Sequence, residues 1–596
     1  MQYETFLRIL DKIRSEAPDA MAARYRSDPS DVEKVNQARA RAFLHLYLKV
    51  MFGTSEFMLR ERTITDGSYD GGIDGYYIDT ETRTIHLLQS KFRTNQQNFE
   101  NKPIALEELL AMDVNRILEG EKEDENGNPY NGKIQQLQRE VSQLPDVARY
   151  TYKIVILANL PGIAPAKLRQ LTGGYSAEVF DFEKTYTRLV FPVLTGTYFA
   201  ASDVVIPVDL SNKNAGSKIS YNVKTKYCDC EITVLFVPTL EIAKAMNKYK
   251  NTILKYNPRS YLDLEGQAVN SSIKGTILSS ETNEFALFNN GITMLSEETN
   301  INEKIGQKNK AQLRIKNPQI INGGQTSFTL SRIYADNIDK AEDIFRDKEV
   351  LLKIITLLDN NSQSDKLALI DEISNASNKQ TPVINADRFA NEVFHTEMQH
   401  RVFERHGLLY ERKRGEFSDG VKDEYINADD VIERNHFWRL FYAANGKINR
   451  GFQKRLFQQN DFSDILPVSD LALDRLYLGA HVFRRLRSDM KPHMRIEKDI
   501  YGKVFAYIQL YIGDGLNTDR SVIDGNLAQL DIQWRKFVSQ QHAKPGPGRR
   551  AYIDKASGQP MVAFSESKYF RSQSFERDLV QYFSGTRVGQ TSHVKS

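Results

Sequence analysis

The chain has 596 residues, of which 40% are hydrophobic and 26% are charged, and this balance excludes a largely disordered or fibrous protein. At about 150 residues per domain, the length predicts roughly four domains. The 80 basic and 77 acidic residues nearly cancel, so only local clusters of charge can indicate nucleic acid as a partner. Cys228 and Cys230 are the two cysteines, too few for a disulfide framework or a four-cysteine zinc site.

No segment approaches the ~18 consecutive apolar residues of a membrane span. The N-terminal segment MQYETFLRILDKIRSEAPDA has apolar residues at helical spacing with interspersed acids, unlike a signal or transit peptide. We therefore expect a cytoplasmic multidomain protein without a membrane segment.

The first part of the chain has the pattern of an α/β domain, which we predict over residues 1–165. Helical periodicity comes first, short strand patterns bounded by Gly- and Asp-rich turns follow, and a helix precedes a last buried strand. Helical periodicity is predicted over 1–55. Strands are predicted at 61–65, 73–79 and 84–92, the next helix begins after Pro103, and the last strand lies at 153–159.

The remainder divides into a central α/β region, predicted over 166–425, and a mainly helical C-terminal domain, predicted over 426–596. In the central region a strand from residue 231 runs directly into a helix, and LLKIITLL at 351–358 predicts another buried strand. The predicted fold class is therefore multidomain α/β with a mostly helical C-terminal region.

Three polar residues on two neighbouring predicted strands form a candidate catalytic set. Asp74 opens one strand, and Gln89 and Lys91 lie two residues apart near the end of the next, so both point to the same face. A carboxylate and a second hard oxygen can bind Mg²⁺ against a phosphodiester, and a lysine can orient water and stabilise developing charge. Because the Gln89 amide oxygen is a weak ligand, the carbonyl oxygen of Ser90 is a further candidate.

A polar surface hairpin would explain the same residues, since Asp-Gly pairs form turns. Against that alternative, Leu87 and Leu88 immediately precede Gln89, which indicates a strand that enters a core.

The sequence GGIDG followed by QSK resembles the Mrr-type branch of the PD-(D/E)XK nucleases, in which Gln replaces the first acid of the D/E-x-K pair. The resemblance implies a nuclease-like N-terminal domain that cuts DNA, with Asp74, Gln89 and Lys91 as catalytic residues. It also implies Mg²⁺ or Mn²⁺ at Asp74 and Gln89, and a homodimer. A further acid is frequent in such folds, and Glu33 and Asp70 are candidates for it.

Two Asn- and Gly-rich motifs mark the central region. NNGIT at 289–293 predicts a hairpin with a positive-φ turn, and INGGQTS at 321–327 predicts a strand, a tight turn and a helix start. Such a turn presents backbone N–H groups to phosphate or carboxylate, although ordinary turn and capping chemistry explains each motif alone. The candidate ligand-binding residues are Arg259, Asn289, Asn290, Asn322, Gly323, Gly324, Gln325 and Thr326.

Together, LFNNGITML and NPQIINGGQTSFTL resemble the AIPR family, the abortive infection phage resistance proteins of bacteria. Further matches come in the family's order: YNPRSYL at 256–262 lies upstream of the two motifs, and NASNKQTPV at 375–383 and YERKRGE at 410–416 lie downstream. The resemblance covers residues 230–420. It implies a defence role but assigns no chemistry to the two motifs. The NGGQT turn also resembles, weakly, the nucleotide-binding turn of ParB/sulfiredoxin-like domains, which makes a nucleotide a candidate ligand.

Basic stretches suggest contact with a phosphate backbone. Arg412, Lys413 and Arg414 follow Tyr410, but a solvated turn with Glu partners fits equally well. The stretch 446–455 has four cations and no acid, and Arg484 and Arg487 can share a helical face.

We therefore expect an anti-phage endonuclease whose AIPR region acts as sensor or regulator. Three alternatives stay open: a nucleotide-binding sensor with an inactive nuclease-like domain, a reader of modified DNA that does not cleave it, and an interaction protein acting on a partner toxin of a defence operon.

Overall fold

The computed structural model describes most of the chain. It covers residues 2–80, 82–105, 109, 112–160, 162–197, 203–209, 219–227, 229–257, 268–279, 282–303, 308–358, 369–370, 372–373, 393–459, 461–490, 498–544, 546–553 and 560–584. Within these ranges, none of the helices combines the length and apolar character needed to cross a bilayer.

The N-terminal sheet has four strands in the order β1-β2-β3-β4. β1 and β2 are antiparallel, whereas β2–β3 and β3–β4 are parallel. The predicted strands at 73–79, 84–92 and 153–159 are confirmed, and β4 extends the sheet beyond the predicted domain boundary at residue 165. The strands are β1 Gly75–Asp79, β2 Thr84–Ser90, β3 Thr151–Leu157 and β4 Ala177–Phe180.

Apolar residues of two helices, α6 and α7, pack with β1, β2 and β3 in one core. α3 begins after Asp31, whose carboxylate accepts a hydrogen bond from the Lys34 N–H at 3.1 Å. The helices are α1 Gln2–Ser15, α2 Ala22–Tyr25, α3 Val32–Phe52, α4 Phe57–Arg62, α5 Gln96–Asn101, α6 Val114–Leu118, α7 Gly132–Ser142, α8 Pro165–Leu171, α9 Phe182–Thr185 and α10 Phe191–Thr195.

The strand predicted at 61–65 is wrong, because its first residues belong to α4. Phe57, Arg60 and Glu61 are buried on one face of this helix. Arg60 and Glu61 are charged, and ion pairs compensate the cost of burying them. The sequence therefore lacks the apolar periodicity of a helix here. The segment meets β1 briefly: Ile64 forms an isolated bridge with Gly75, and the Thr63 carbonyl oxygen accepts the Tyr76 N–H at 2.9 Å.

The central region contains a three-stranded sheet, β5-β10-β9, and a five-stranded sheet, β11-β8-β12-β7-β6. The predicted strand and helix after residue 231 and the predicted strand at 351–358 are confirmed. The strands are β5 Asp203–Asp209, β6 Ile219–Lys224, β7 Asp229–Pro238, β8 Ile292–Ser296, β9 Glu298–Asn302, β10 Lys310–Lys316, β11 Gln319–Asn322 and β12 Glu349–Leu357. The helices are α11 Thr239–Tyr249, α12 Ala268–Ser279, α13 Phe285–Phe288, α14 Gly324–Asp336 and α15 Ala341–Ile344.

The hairpin predicted around NNGIT is wrong, because FALF forms the helix α13 and not a strand. The positive φ predicted for the turn is present, at +83° for Gly291. Gly323, which precedes α14, has a φ of +81°. A Cβ on Gly291 would lie 2.7 Å from the Leu351 carbonyl oxygen, so the absence of a side chain allows the turn to approach β12.

The chain divides into two compact units. Unit 1 comprises Met1–Val383, Phe403–Gly407 and Lys413–Asp430; unit 2 comprises Ile384–Val402, Leu408–Arg412 and Val431–Ser596. The mostly helical character predicted for the C-terminal region is confirmed. Its helices are α18 Arg434–Ala444, α19 Ile448–Gly451, α20 Lys454–Gln459, α21 Asp470–Ser488, α22 Lys498–Tyr511, α23 Arg520–Ala543, α24 Glu566–Arg571 and α25 Ser574–Ser584, preceded in the chain by α16 Val393–His406 and α17 Ser418–Lys422. Its strand pairs are β13 Leu409–Glu411 with β14 Val431–Glu433 and β15 Arg549–Ile553 with β16 Pro560–Phe564.

Replacement of Gly291 by alanine tests the close approach to β12. The left-handed backbone and the contact with Leu351 should together cost about 1–3 kcal/mol, and a thermal denaturation curve would show this as a lower melting temperature. Gly275→Ala is the matched control, because a Cβ in that helix would meet nothing within 4 Å. A melting temperature unchanged by Gly291→Ala would contradict the packing of this turn.

Candidate functional site

Three aspartates converge beside the start of β1. Asp66 and Asp70 lie in the segment after α4, and Asp74 immediately precedes β1. One carboxylate oxygen of each lies within 4.8 Å of the corresponding oxygens of the other two. Asp66 is exposed, Asp70 is buried and Asp74 is half-buried. We call this group the aspartate cluster.

Backbone N–H groups hold two of the three carboxylates in place. The N–H groups of Gly67 and Gly72 donate to Oδ2 and Oδ1 of Asp70 at 3.1 and 2.9 Å. The Ser90 N–H donates to Asp74 Oδ2 at 2.6 Å, a contact that depends on the antiparallel pairing of β1 with β2. Both carboxylates are therefore fixed by the loop and the sheet rather than by flexible side chains.

Gln89 and Lys91 lie at the same end of the β1–β2 pair. Gln89 is buried and its Nε2 donates to the Gly72 carbonyl oxygen at 2.9 Å, so Oε1 is the atom that it can offer to a cation. Lys91 is exposed, and its charge lowers the pKa of Asp74. The structure thus brings Asp74 and Gln89 to one end of the β1–β2 pair, with Lys91 near enough for its charge to act on Asp74, whereas the chemical roles of all three stay predictions.

Of the two further acids considered from the sequence, Asp70 belongs to the cluster and Glu33 does not. Glu33 is exposed in the first turn of α3, where it accepts a hydrogen bond from Gln37 at 3.4 Å. Sequence analysis missed Asp66. The available signal was the regular spacing of three Asp-Gly pairs that begin at Asp66, Asp70 and Asp74.

The cluster has the electrostatics of a cation site. Burial raises the pKa of Asp74 to about 8, the Ser90 N–H opposes the rise, the charges of Asp70 and Asp66 add to it, and Lys91 lowers it. Burial also raises the pKa of Asp70. Carboxylates this close cannot all ionise without mutual repulsion, and a divalent cation would offset it. Carboxylate oxygens suit Mg²⁺ and Mn²⁺, so the donor set fits the predicted metal.

The two central motifs, distant in sequence, lie next to each other. Asn289 Nδ2 donates to Thr326 Oγ1 at 3.0 Å, and Asn289 Oδ1 accepts the Gly291 N–H at 2.9 Å. The Gly323 N–H donates to Asn322 Oδ1 at 2.7 Å. α14 then begins at Gly324 without a side-chain cap, which confirms the predicted strand, turn and helix start.

The other candidate ligand-binding residues differ in exposure. Asn290 is exposed, Gln325 is half-buried and Gly324 is buried beneath the turn. Arg259 lies outside the described residues, as does NASNKQTPV. The ligand-binding role of this set stays a prediction.

The three cations of the basic turn after Tyr410 differ in exposure. Lys413 is buried, and its Nζ donates to the carbonyl oxygens of Lys255 and Asn257 at 2.7 and 2.9 Å. The predicted contact of Lys413 with phosphate therefore does not fit its position, because its Nζ binds carbonyl oxygens of the protein and not phosphate oxygens. Arg412 is half-buried and Arg414 is exposed.

Acids from outside the basic stretch 446–455 neutralise part of its charge. Lys447 pairs with Asp464 at 3.2 Å, and Arg450 pairs with Asp461 and Asp464 at 3.2 and 3.3 Å. On α21, Arg484 and Arg487 are both half-buried, and their predicted contact with DNA stays a prediction.

The raised pKa of Asp74 predicts a pH dependence in metal-free protein. Between the unfolded pKa of 3.8 and the folded value of about 8, the folded state keeps a proton that the unfolded state loses, so stability falls as the pH rises through this window. Asp74→Asn removes the charge and keeps an oxygen for the Ser90 N–H. In EDTA, the melting temperature of the variant should exceed that of wild type by an amount that grows from pH 4 to pH 8. A difference that is constant with pH would contradict the assignment.

Comparison with known proteins gives one match. Residues 254–540 match the protein family described as AIPR protein, a range that includes both central motifs and extends beyond the predicted end of the resemblance at residue 420. No curated protein and no solved structure matches the chain. Residues 254–540 are therefore similar to AIPR proteins, and we call this part of the chain the AIPR region.

Proposed function

We propose that this protein is a metal-dependent endodeoxyribonuclease of bacterial anti-phage defence. The observation that carries the proposal is the convergence of the aspartate cluster with Gln89 and Lys91 at one end of the β1–β2 pair. The mixed sheet beneath it supports a PD-(D/E)XK-like fold, because it presents these residues as the sequence resemblance implies. The AIPR match supports the defence role.

In this proposal the chain supplies ligands, a positive charge and a fixed geometry. Asp74 and Gln89 hold the cation, Asp70 adds a buried carboxylate, and the carbonyl oxygen of Ser90 is a further ligand. When bound, Mg²⁺ or Mn²⁺ supplies Lewis-acid polarisation of the scissile phosphodiester. Lys91, exposed beside the cluster, binds a phosphate oxygen, orients the attacking water and stabilises the charge that develops on the phosphate.

The AIPR region acts as sensor or regulator in this proposal. Residues 413–430 of that region belong to unit 1, together with the aspartate cluster, so the two lie in the same compact unit. A change in this segment can therefore reach the cluster through packed contacts. DNA, of the phage or of the bacterial host, is the proposed substrate.

A second candidate function is a nucleotide sensor whose nuclease-like domain is inactive. The contact between Asn289 and Thr326 favours it, because it joins the NNGIT and NGGQT motifs at the N-terminus of α14. A protein of this kind would bind ATP or CTP in calorimetry and would leave plasmid DNA intact in the presence of Mg²⁺ or Mn²⁺.

Plasmid cleavage tests the proposed nuclease directly. With Mg²⁺ or Mn²⁺ we expect nicking or linearisation by the wild type. Asp74→Ala and Lys91→Ala should each reduce the rate by about 100-fold or more, the order that follows loss of one charge-stabilising group. Asp79→Ala, at the opposite end of β1, is the matched control and should cut like the wild type.

Equal cutting by the wild type, Asp74→Ala and Lys91→Ala would contradict the catalytic assignment. A phage-protection assay with the same variants tests the biological role. Undiminished protection by both active-site variants would show that cleavage at this site is not the defence activity.

A further inference from the structure

The face of α3 nearest the aspartate cluster is polar and buried. Arg41, His45 and Lys49 follow one another at intervals of one helical turn, and all three are buried. Burying cationic side chains is costly unless acids and hydrogen bonds compensate them. The partners of these residues therefore indicate what the face is for.

Arg41 joins this face to the aspartate cluster. Its Nη1 donates to Asp66 Oδ2 at 2.7 Å and to the Asp66 carbonyl oxygen at 2.9 Å. Its Nη2 donates to Glu61 Oε1 at 3.2 Å, and its Nε donates to the Tyr25 hydroxyl oxygen at 3.1 Å. All three nitrogens of the guanidinium are thus engaged, which fixes the plane of the group.

The partners of Arg41 are themselves held in place. Glu61 accepts from the Tyr25 hydroxyl and contacts His45 Nε2 at 3.2 Å, and His45 Nδ1 accepts from Arg60 Nε at 3.2 Å. Although burial raises the pKa of Glu61, the hydrogen bonds from His45 and Tyr25 and the charge of Arg41 lower it to about 2. Glu61 is therefore ionised and anchors Arg41 independently of Asp66.

We infer that Arg41 is a positioning residue that orients Asp66 as a ligand of the cation bound by the aspartate cluster. Asp66 is the exposed member of the cluster, and none of the described backbone N–H groups donates to its carboxylate, in contrast to Asp70 and Asp74. Arg41 supplies the missing restraint at both the side chain and the carbonyl oxygen. Its charge also offsets the repulsion between Asp66 and the other two carboxylates.

The inference rests on the proposed metal site but not on cleavage, so metal affinity is the first readout. In calorimetric titration of the full chain with Mn²⁺, we expect Arg41→Gln to weaken binding by about 10-fold or more, as loss of a group that orients a ligand does. Asp66→Asn should weaken binding to a similar extent. The double variant should be no weaker than the worse single variant, because both changes remove the same interaction.

Arg39→Gln is the matched control. Arg39 lies on the same helix and makes two hydrogen bonds with Asp11, at 2.9 and 2.7 Å, so its loss removes a comparable ion pair away from the cluster. Mn²⁺ affinity should be unchanged. In a cleavage assay, Arg41→Gln should raise the Mg²⁺ concentration that gives the half-maximal rate. The rate at saturating Mg²⁺ should stay within about 3-fold of wild type. General destabilisation of the protein would not change the first quantity and spare the second.

Asp66→Asn changes an exposed side chain and keeps the inference testable if Arg41→Gln does not fold. Unchanged Mn²⁺ affinity in Asp66→Asn, or equal weakening by Arg39→Gln and Arg41→Gln, would overturn the inference alone. Absence of Mn²⁺ binding by wild type would overturn the metal site and the inference together. The Mn²⁺ affinities could change as expected while the wild type leaves plasmid DNA intact. That result would support the inference and contradict the nuclease proposal.

Discussion

The repulsion among Asp66, Asp70 and Asp74 is the constraint around which the N-terminal region is arranged. Three carboxylates within 4.8 Å of one another separate unless other groups hold them. Backbone N–H groups of the loop and of β2 fix two of them, and a guanidinium from α3 fixes the third. The sheet, the loop and the first long helix therefore meet at the point where a divalent cation would offset the repulsion.

The convergence of Asp74, Gln89 and Lys91 could be predicted because it depends on the period of a strand and on one tight connection between neighbouring strands. The helical C-terminal region was predictable for a similar reason, since helical periodicity is local. Asp66 was missed, although the regular spacing of the three Asp-Gly pairs was a signal for it. Its contact with Arg41 was not predictable, because a contact between a loop and a distant helix leaves no periodic signal.

Charged residues caused two further failures of prediction. Arg60 and Glu61 are buried in α4, so the helix lacks an apolar stripe and resembles a strand. Lys413 and the cations of 446–455 form a basic pattern in the sequence, yet internal carbonyl oxygens or acids from elsewhere in the chain engage several of them. A count of charges within a stretch of sequence omits the acids and carbonyl oxygens that are distant in sequence and that the fold brings into contact with these cations.

The buried polar face of α3 also continues to the AIPR region. Lys49 donates to Glu16 at 2.9 Å and to the Tyr425 hydroxyl at 2.8 Å, and Tyr425 lies within the matched range. A cation at the cluster is the feature on which both the proposed nuclease activity and its proposed regulation would depend. The most direct measurement is anomalous diffraction from crystals soaked in Mn²⁺. The account predicts a peak between the three carboxylates, and a saturating soak that leaves no peak there would contradict it.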